Sequence, residues 1–188
     1  MNDLIREAAT LQKYLEELGW DFFFIGGLVV QVWGEPRLTL DIDLTIFTNL
    51  SNEPDYIDTL LKRYSPKFSD AAEFALTNRV LPMYSANTIG IDVNLGGFSE
   101  DNSAFERSSY QKFIDGIELR VCSADDLIIM KSVAARDRDW IDVESVVIKQ
   151  NNLDWDYIES SLASLDAYED MSGRVKQLLR LKEDFYRK

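Results

Sequence analysis

The first eighteen residues carry hydrophobic side chains at helical spacing, and the residues after them change to shorter runs. The spacing predicts an amphipathic helix that ends near Gly19, since glycine commonly follows the last turn of a helix. Residues 21–25 then predict the first strand. A short helix is predicted from Leu28 to Trp33, directly after Gly26-Gly27. The helical positions are Leu4, Ile5, Ala8, Leu11, Leu15 and Leu18.

The middle of the chain predicts further strands and one more helix. Residues 55–64 have the pattern of a helix on a sheet surface, and residues 79–85 that of a strand. Pro82 places that strand at an edge of the sheet, because proline cannot donate to the ladder. Residues 88–95 alternate apolar and polar side chains, as a half-buried strand does. Residues 110–114 and 117–121 flank Asp115-Gly116, which predicts a hairpin.

Beyond Val121 the pattern becomes helical. Ser123 is a predicted N-cap for a helix that runs to about Arg136, with acidic residues in its first turn. Further helices are predicted from 139 to 149, after Asp154, and from Tyr168 to Phe185. These patterns divide the chain into an α/β core, residues 1–121, and a helical part, residues 122–188, that we expect to pack on the core as one unit.

Composition narrows the functional classes. The chain has 188 residues, one cysteine, no histidine and a net charge of −13. An internal disulfide is therefore excluded, and so are the serine-triad base and most zinc chemistry. The acidic balance argues against non-specific binding of duplex DNA, which depends on Lys and Arg. The first residues lack the features of a signal peptide, and the apolar run 22–33 is too short to cross a membrane, so we expect a cytoplasmic protein.

Two carboxylates, Asp41 and Asp43, alternate with apolar residues on a predicted strand. Residues two apart on a strand point to the same face, so these side chains lie together and repel each other unless a cation intervenes. Oxygen ligands of this kind suit Mg²⁺, which also binds substrate phosphates. Asp92, isolated in the strand 88–95, is the candidate for a third carboxylate on the same side. The alternative for these residues is an acidic strand end that contacts only solvent.

The segment around these carboxylates resembles the signature of the nucleotidyltransferase superfamily, to which DNA polymerase β belongs. The matching residues are Ile25-Gly26-Gly27, a spacer, and then Asp41-Ile42-Asp43-Leu44. The resemblance implies an α+β nucleotidyltransferase fold, with a mixed β-sheet flanked by helices and followed by a C-terminal helical bundle. It also implies a two-metal Mg²⁺ site on Asp41, Asp43 and Asp92. Gly26 and Gly27 would shape a phosphate-binding turn, although a tight turn alone would also explain them.

The helical part carries a second resemblance, to the AbiE-type nucleotidyltransferase toxins of abortive-infection systems. Residues 127–131 end in Lys131, Ala134 supplies a small residue, Arg136 or Arg138 the basic position, and Asp139 and Asp142 the acidic pair. The resemblance implies that Lys131 binds a nucleotide phosphate and that Asp139 and Asp142 orient the lysine or the acceptor. The alternative is a pair of surface helices whose mixed charges face solvent.

The loop before the carboxylates supplies further candidates. Arg37 and Thr39 are predicted to donate to phosphate oxygens, and the alternative for Arg37 is a surface salt bridge. Many active members of the superfamily have serine at the position of Gly27, which can offer only its backbone amide.

The sequence thus favours a Mg²⁺-dependent nucleotidyltransferase that moves a nucleoside monophosphate from a nucleoside triphosphate to an RNA end, a protein or a small molecule. Such an enzyme could act as a toxin of a toxin–antitoxin system. The alternative is a catalytically silent module of the same fold that binds a nucleotide or a basic protein partner. An acidic, antitoxin-like binder is a third reading, and it gives no reason for aligned strand carboxylates.

Overall fold

The computed structural model describes residues 1–48, 52–96, 103–165 and 172–186. Its strands are β1 Phe22–Ile25, β2 Asp41–Phe47, β3 Ser65–Pro66, β4 Val80–Tyr84, β5 Gly90–Gly96, β6 Ser109–Lys112 and β7 Glu118–Val121. Its helices are α1 Asn2–Glu17, α2 Gly26–Trp33, α3 Glu53–Leu61, α4 Ala71–Asn78, α5 Ser103–Arg107, α6 Ala124–Ala134, α7 Asp137–Lys149, α8 Trp155–Leu165 and α9 Ser172–Tyr186.

The described chain divides into two compact units. The first comprises residues 1–28 and 38–122, and the second comprises residues 29–37 and 123–188. The first unit therefore contains all the strands named above. The second contains α6, α7, α8 and α9 together with most of α2 and the loop after it.

The first unit is built around a mixed sheet. Within the described residues its strand order is β3-β4-β5-β2-β1-β7-β6. Strand β2 pairs in parallel with β5 and antiparallel with β1, and β1 pairs in parallel with β7. Alternating side chains of the central strands are fully buried, among them Phe24, Ile42, Leu44, Ile91 and Val93. This burial is the main stabilising term, because it removes apolar area from water.

Helix α6 begins where the sequence predicts. The Ser123 hydroxyl accepts a hydrogen bond from the amide of Asp126 at 3.0 Å, as an N-cap does. The helix ends at Ala134, because Ala135 adopts a left-handed conformation with φ of 52°. In the next connection, Asp154 caps α8 through the amide of Tyr157, at 2.9 Å.

The loop after α2 belongs to the helical unit through contacts with the end of α7. The ammonium of Lys149 donates to the carbonyl of Gly34 at 2.8 Å, and the side-chain amide of Gln150 donates to the carbonyl of Trp33 at 2.7 Å. These bonds satisfy carbonyls at the C-terminal end of α2, which have no partner within the helix.

Most of the predicted elements are confirmed, and the fold class is confirmed with them. The hairpin around Asp115-Gly116 forms between β6 and β7. The prediction that Pro82 marks an edge strand is wrong, since β4 pairs with β5 on one side and with β3 on the other. The two-residue strand β3 is the outer one, and it ends before its ladder would need an amide hydrogen from Pro82.

Several boundaries and three short elements differ from the sequence prediction. Arg79 does not open β4; it caps α4 in a left-handed conformation with φ of 57°. Helices α4 and α5 and strand β3 were not predicted, because all are short and lack a clear period. The predicted helix 168–185 corresponds to α9, and residues 168–171 lie outside the described residues.

None of the helices in the described residues combines the length and the apolar character that crossing a bilayer requires.

Candidate active site

Asp41 and Asp43 project from one face of β2, as the sequence predicts. Ile42 and Leu44 between and after them are fully buried, whereas Asp41 is exposed and Asp43 is half-buried. The apolar side chains anchor the strand in the core, so the carboxylates are held at the surface of the sheet by a rigid element. Such an element fixes a site more accurately than a loop does.

Strand β5 adds the third carboxylate. Its parallel pairing with β2 sets Asp43 opposite Asp92 and Asp41 opposite Gly90. Residues paired across adjacent strands point to the same face, so Asp92 lies on the side of Asp41 and Asp43. We refer to Asp41, Asp43 and Asp92 as the carboxylate face.

Two glycines make room for this face. Gly26, the first residue of α2, has φ of +67°, and a Cβ there would lie 2.1 Å from Oδ2 of Asp43. A Cβ on Gly90 would lie 1.9 Å from Oδ1 of Asp41. Both contacts are far inside van der Waals distance. Asp43 therefore occupies space that only glycine leaves open, and at Gly26 the backbone conformation also favours glycine. The exposed Asp41 carboxylate could rotate away from a side chain at position 90.

Replacing Gly26 with Ala should lower stability through backbone strain and through a clash with Asp43. A side chain at φ above zero costs about 1–2 kcal/mol, and the clash should displace the Asp43 carboxylate as well. Gly19 is the matched control, since its φ is +69° and a Cβ there would meet nothing within 4 Å. We expect Gly26→Ala to lower the urea-unfolding free energy by at least about 1 kcal/mol more than Gly19→Ala, because of the added overpacking. Equal losses in the two variants would contradict this account of the turn.

Lys67, which the sequence analysis missed, reaches the carboxylate face. Its Nζ lies 3.0 and 3.1 Å from the two carboxylate oxygens of Asp92 and 3.8 Å from Oδ1 of Asp41. The lysine side chain is 19% exposed, compared with 32% for Asp92 and 53% for Asp41. The ammonium thus supplies the positive charge that closely spaced carboxylates need.

The donor set of the carboxylate face fits Mg²⁺ in chemistry. Mg²⁺ prefers oxygen ligands and is often bound through only one or two carboxylates, with water and phosphate oxygens completing the shell. In the described residues, no group of three His, Cys, Asp or Glu side chains converges closely enough to hold a metal ion. The three carboxylates would therefore have to move closer together to share one ion, and an ion bound at Asp92 would displace the Lys67 ammonium, which lies 3.0 Å from that carboxylate.

A second charged group lies in the helical unit and contains five more of the predicted residues. Lys131 Nζ lies 3.0 Å from Oδ1 of Asp139 and 2.7 Å from Oδ2 of Asp142. Arg37 binds Asp142 with two parallel hydrogen bonds of 2.6 Å, and Arg136 Nε donates to Asp139 at 2.8 Å. Lys131, Asp139 and Asp142 are 7%, 6% and 1% exposed. We call these five residues the ion cluster; its lysine and carboxylates are buried, whereas the Arg136 side chain is 79% exposed.

The basic residues of this cluster keep its carboxylates ionised. Burial by itself would raise the pKa of Asp142, but hydrogen bonds from Arg37 and Lys131, together with their charges, outweigh it and lower that pKa. Burial likewise opposes ionisation of Asp139, and Lys131 and Arg136 lower its pKa. Buried charges that are paired and hydrogen-bonded in this way are costly to separate.

The geometry decides between some of the sequence alternatives. The predicted solvated face does not describe Asp139 and Asp142, which are buried. Arg37 does form a salt bridge, but its partner is the buried Asp142 and not a surface residue. The Thr39 hydroxyl donates to the backbone carbonyl of Asp41 at 3.4 Å. Contact of Lys131, Arg37 or Thr39 with a nucleotide phosphate stays a prediction.

The architecture identifies the class of protein. A mixed sheet flanked by helices, followed by a helical C-terminal part, has the nucleotidyltransferase fold. The chain belongs to the family described as "Nucleotidyl transferase of unknown function (DUF2204)", whose model matches residues 4–181.

Solved structures agree with this fold. An antigenic nucleotidyltransferase-like protein from Paracoccidioides brasiliensis is similar with a TM-score of 0.54 and 14% identity, over 94% of each chain. The lincosamide antibiotic adenylyltransferase LnuA, in its lincomycin-bound structure, is similar with a TM-score of 0.53 and 13% identity, over 75% of this chain and 94% of its own. No curated protein sequence matches the chain.

Proposed function

We propose that the protein is a Mg²⁺-dependent nucleotidyltransferase that moves a nucleoside monophosphate from a nucleoside triphosphate to an acceptor. The observation that carries this proposal is the register of β2 and β5, which aligns Asp43 with Asp92 and puts Asp41 on the same face. An acidic strand end that only contacts solvent would not need a glycine at position 26 to seat the Asp43 carboxylate.

Nucleotidyl transfer joins an acceptor oxygen to the α-phosphorus of a nucleoside triphosphate. The acceptor oxygen attacks the α-phosphorus, the bond from that phosphorus to the bridging oxygen breaks, and pyrophosphate leaves with the bond electrons. When bound, Mg²⁺ would lower the pKa of the acceptor hydroxyl and neutralise charge on the phosphates. Asp41, Asp43 and Asp92 would hold the metal, and a carboxylate or water would take the acceptor proton. The backbone amides at the start of α2, including that of Gly27, would approach the triphosphate.

The acceptor is an RNA end, a protein or a small molecule in this proposal. The name of LnuA describes adenylyl transfer to a lincosamide antibiotic, and its shared fold makes a small hydroxylated acceptor a natural first test. The segment from Lys131 to Asp142 supports the alternative of a toxin that modifies RNA or protein, through its resemblance to the AbiE-type toxins. In that case a cognate protein partner would restrain the enzyme.

A second candidate is a catalytically silent module that binds a nucleotide or a basic protein. Three observations favour it: Lys67 already pairs with Asp92, Gly27 lacks the hydroxyl found in many active relatives, and the chain carries a net charge of −13. This candidate predicts binding without transfer.

Transfer of label to an acceptor separates the two candidates, and removal of metal tests metal dependence. The protein would be incubated with each of the four α-³²P nucleoside triphosphates and with pooled RNA, protein or lincosamide acceptors, in Mg²⁺ or in EDTA. We expect label to appear in one acceptor class with Mg²⁺ and to disappear in EDTA. Nucleotide binding with no labelled acceptor in any class would favour the silent module, and label that persists in EDTA would contradict metal dependence.

A further inference from the structure

Lys67 contacts the carboxylate face, and neither the family signature nor the sequence pattern points to it. We propose that Lys67 is a resident counter-ion that competes with the divalent metal for Asp92 and moves to a substrate phosphate when the metal binds. Lys67 would therefore link metal entry to nucleotide binding. This inference rests on the proposed function.

The contacts show that the ammonium occupies a built position. It lies within 3.1 Å of both carboxylate oxygens of Asp92 and 3.8 Å from Asp41, so one charge bridges two strands. A Cβ on Gly90 would lie 3.1 Å from Nζ of Lys67, so the glycine beside Asp41 also leaves room for the ammonium. Nζ also lies 5.7 Å from the ring centroid of Tyr84.

The backbone of Lys67 is fixed while its side chain can move. The amide of Lys67 donates to the carbonyl of Pro82 at 3.0 Å, directly beyond the short pairing of β3 with β4. The lysine stem has four rotatable bonds and a compact charge at its end. The ammonium can therefore leave Asp92 without any change in the sheet, and a phosphate beside the carboxylates would be within its reach.

The charges on this face predict how Lys67 changes the affinity for metal with and without nucleotide. Three carboxylates on one face attract any cation, and Lys67 supplies one that is covalently attached and always present. A metal ion that enters alone must displace this ammonium from Asp92. A metal ion that enters with a triphosphate offers the displaced ammonium a new anionic partner. Lys67 should thus weaken binding of metal alone and strengthen binding of the metal–nucleotide complex.

The test measures metal affinity without any nucleotide. MgCl₂ and MnCl₂ would each be titrated calorimetrically into wild type, Lys67→Met and Lys62→Met. Lys62 is exposed, and its replacement removes the same charge from the chain away from Asp92. We expect Lys67→Met to bind metal at least about tenfold more tightly than wild type, since an ammonium 3 Å from a ligand opposes a second cation by more than 1.4 kcal/mol. Lys62→Met should match wild type.

Recovery of the melting temperature with Mg²⁺ distinguishes a counter-ion from a purely structural residue. In EDTA the melting temperature of Lys67→Met should fall, because the carboxylates lose their counter-ion, and added Mg²⁺ should restore it. Lys67→Gln, which keeps a hydrogen-bond donor near Asp92, gives the same comparison of metal affinity should Lys67→Met fail to fold. With nucleoside triphosphate present, both variants should bind the nucleotide more weakly than wild type.

The outcomes distinguish this inference from the proposed function. Tighter metal binding by the Lys67 variants supports the competition. Metal binding that is equal in wild type and both Lys67 variants overturns the role of Lys67 and leaves the nucleotidyltransferase proposal intact. Metal binding by none of the proteins, with or without nucleotide, overturns the metal-dependent function and this inference together.

Discussion

Replacing Asp43 with Asn should abolish nucleotidyl transfer while the protein stays folded. Asp43 lies two residues from Asp41 on β2 and pairs with Asp92 on β5. Its carboxylate also fills the space above Gly26, where the phosphate turn begins. Loss of one metal ligand removes several kcal/mol of charge stabilisation, so we expect the initial rate to fall by at least about a thousandfold.

The control for this variant is Asp70→Asn, which makes the same chemical change at an exposed position. Asp70 precedes α4, and its side chain makes no capping hydrogen bond to that helix. The rate with Asp70→Asn should equal that of wild type. Transfer by Asp43→Asn at more than a tenth of the wild-type rate would contradict the assignment of the carboxylate face.

Replacing Asp142 with Asn should give the largest loss of stability. Asp142 is 1% exposed and accepts hydrogen bonds from both Arg37 and Lys131. An amide of the same size leaves two cations without their shared anion inside the helical unit. Breaking a buried ion pair in this way costs about 3–5 kcal/mol. Urea unfolding would measure the loss, with Asp137→Asn as the exposed control on the same helix.

Acid should reduce the effect of that substitution. The pKa of Asp142 in the folded protein is lowered from the ordinary 3.8, so the folded state favours the ionised carboxylate. This contribution is fully present above pH 3.8 and is lost as the pH falls through the lowered value. The difference in unfolding free energy between wild type and Asp142→Asn should thus be constant from pH 7 to about 5 and shrink below the ordinary Asp pKa. A difference that grows on acidification would contradict the pairing.

The strand carboxylates show what a sequence can predict about a site. The alternation of Asp41 and Asp43 with buried residues fixes their common face, because the strand period is two. The alignment of Asp43 with Asp92 could not be derived in the same way, since it depends on the pairing of strands that lie far apart in the chain. The isolated acid in β5 gave the correct strand and face, and only the structure gives the register.

The charged residues show where prediction ends. Lys131 stands among apolar residues and is followed by the acidic pair Asp139 and Asp142, so the sequence identifies all three as candidates. The sequence could not show that Arg37, in a distant loop, shares Asp142 with Lys131. Lys67 carried no signal at all, because it follows a two-residue strand in a segment without periodicity. Ion pairs of this kind are set by tertiary packing, which local patterns do not encode.

The most direct test of the central claim is a calorimetric titration of the four nucleoside triphosphates, with Mg²⁺, into wild type, Asp41→Asn and Asp43→Asn. The account predicts saturable binding of at least one nucleotide by wild type, loss of that binding in EDTA and in both variants, and unchanged binding by Asp70→Asn. Equal nucleotide binding by wild type and both carboxylate variants would show that the nucleotide does not use Asp41 or Asp43, and would contradict the proposed site.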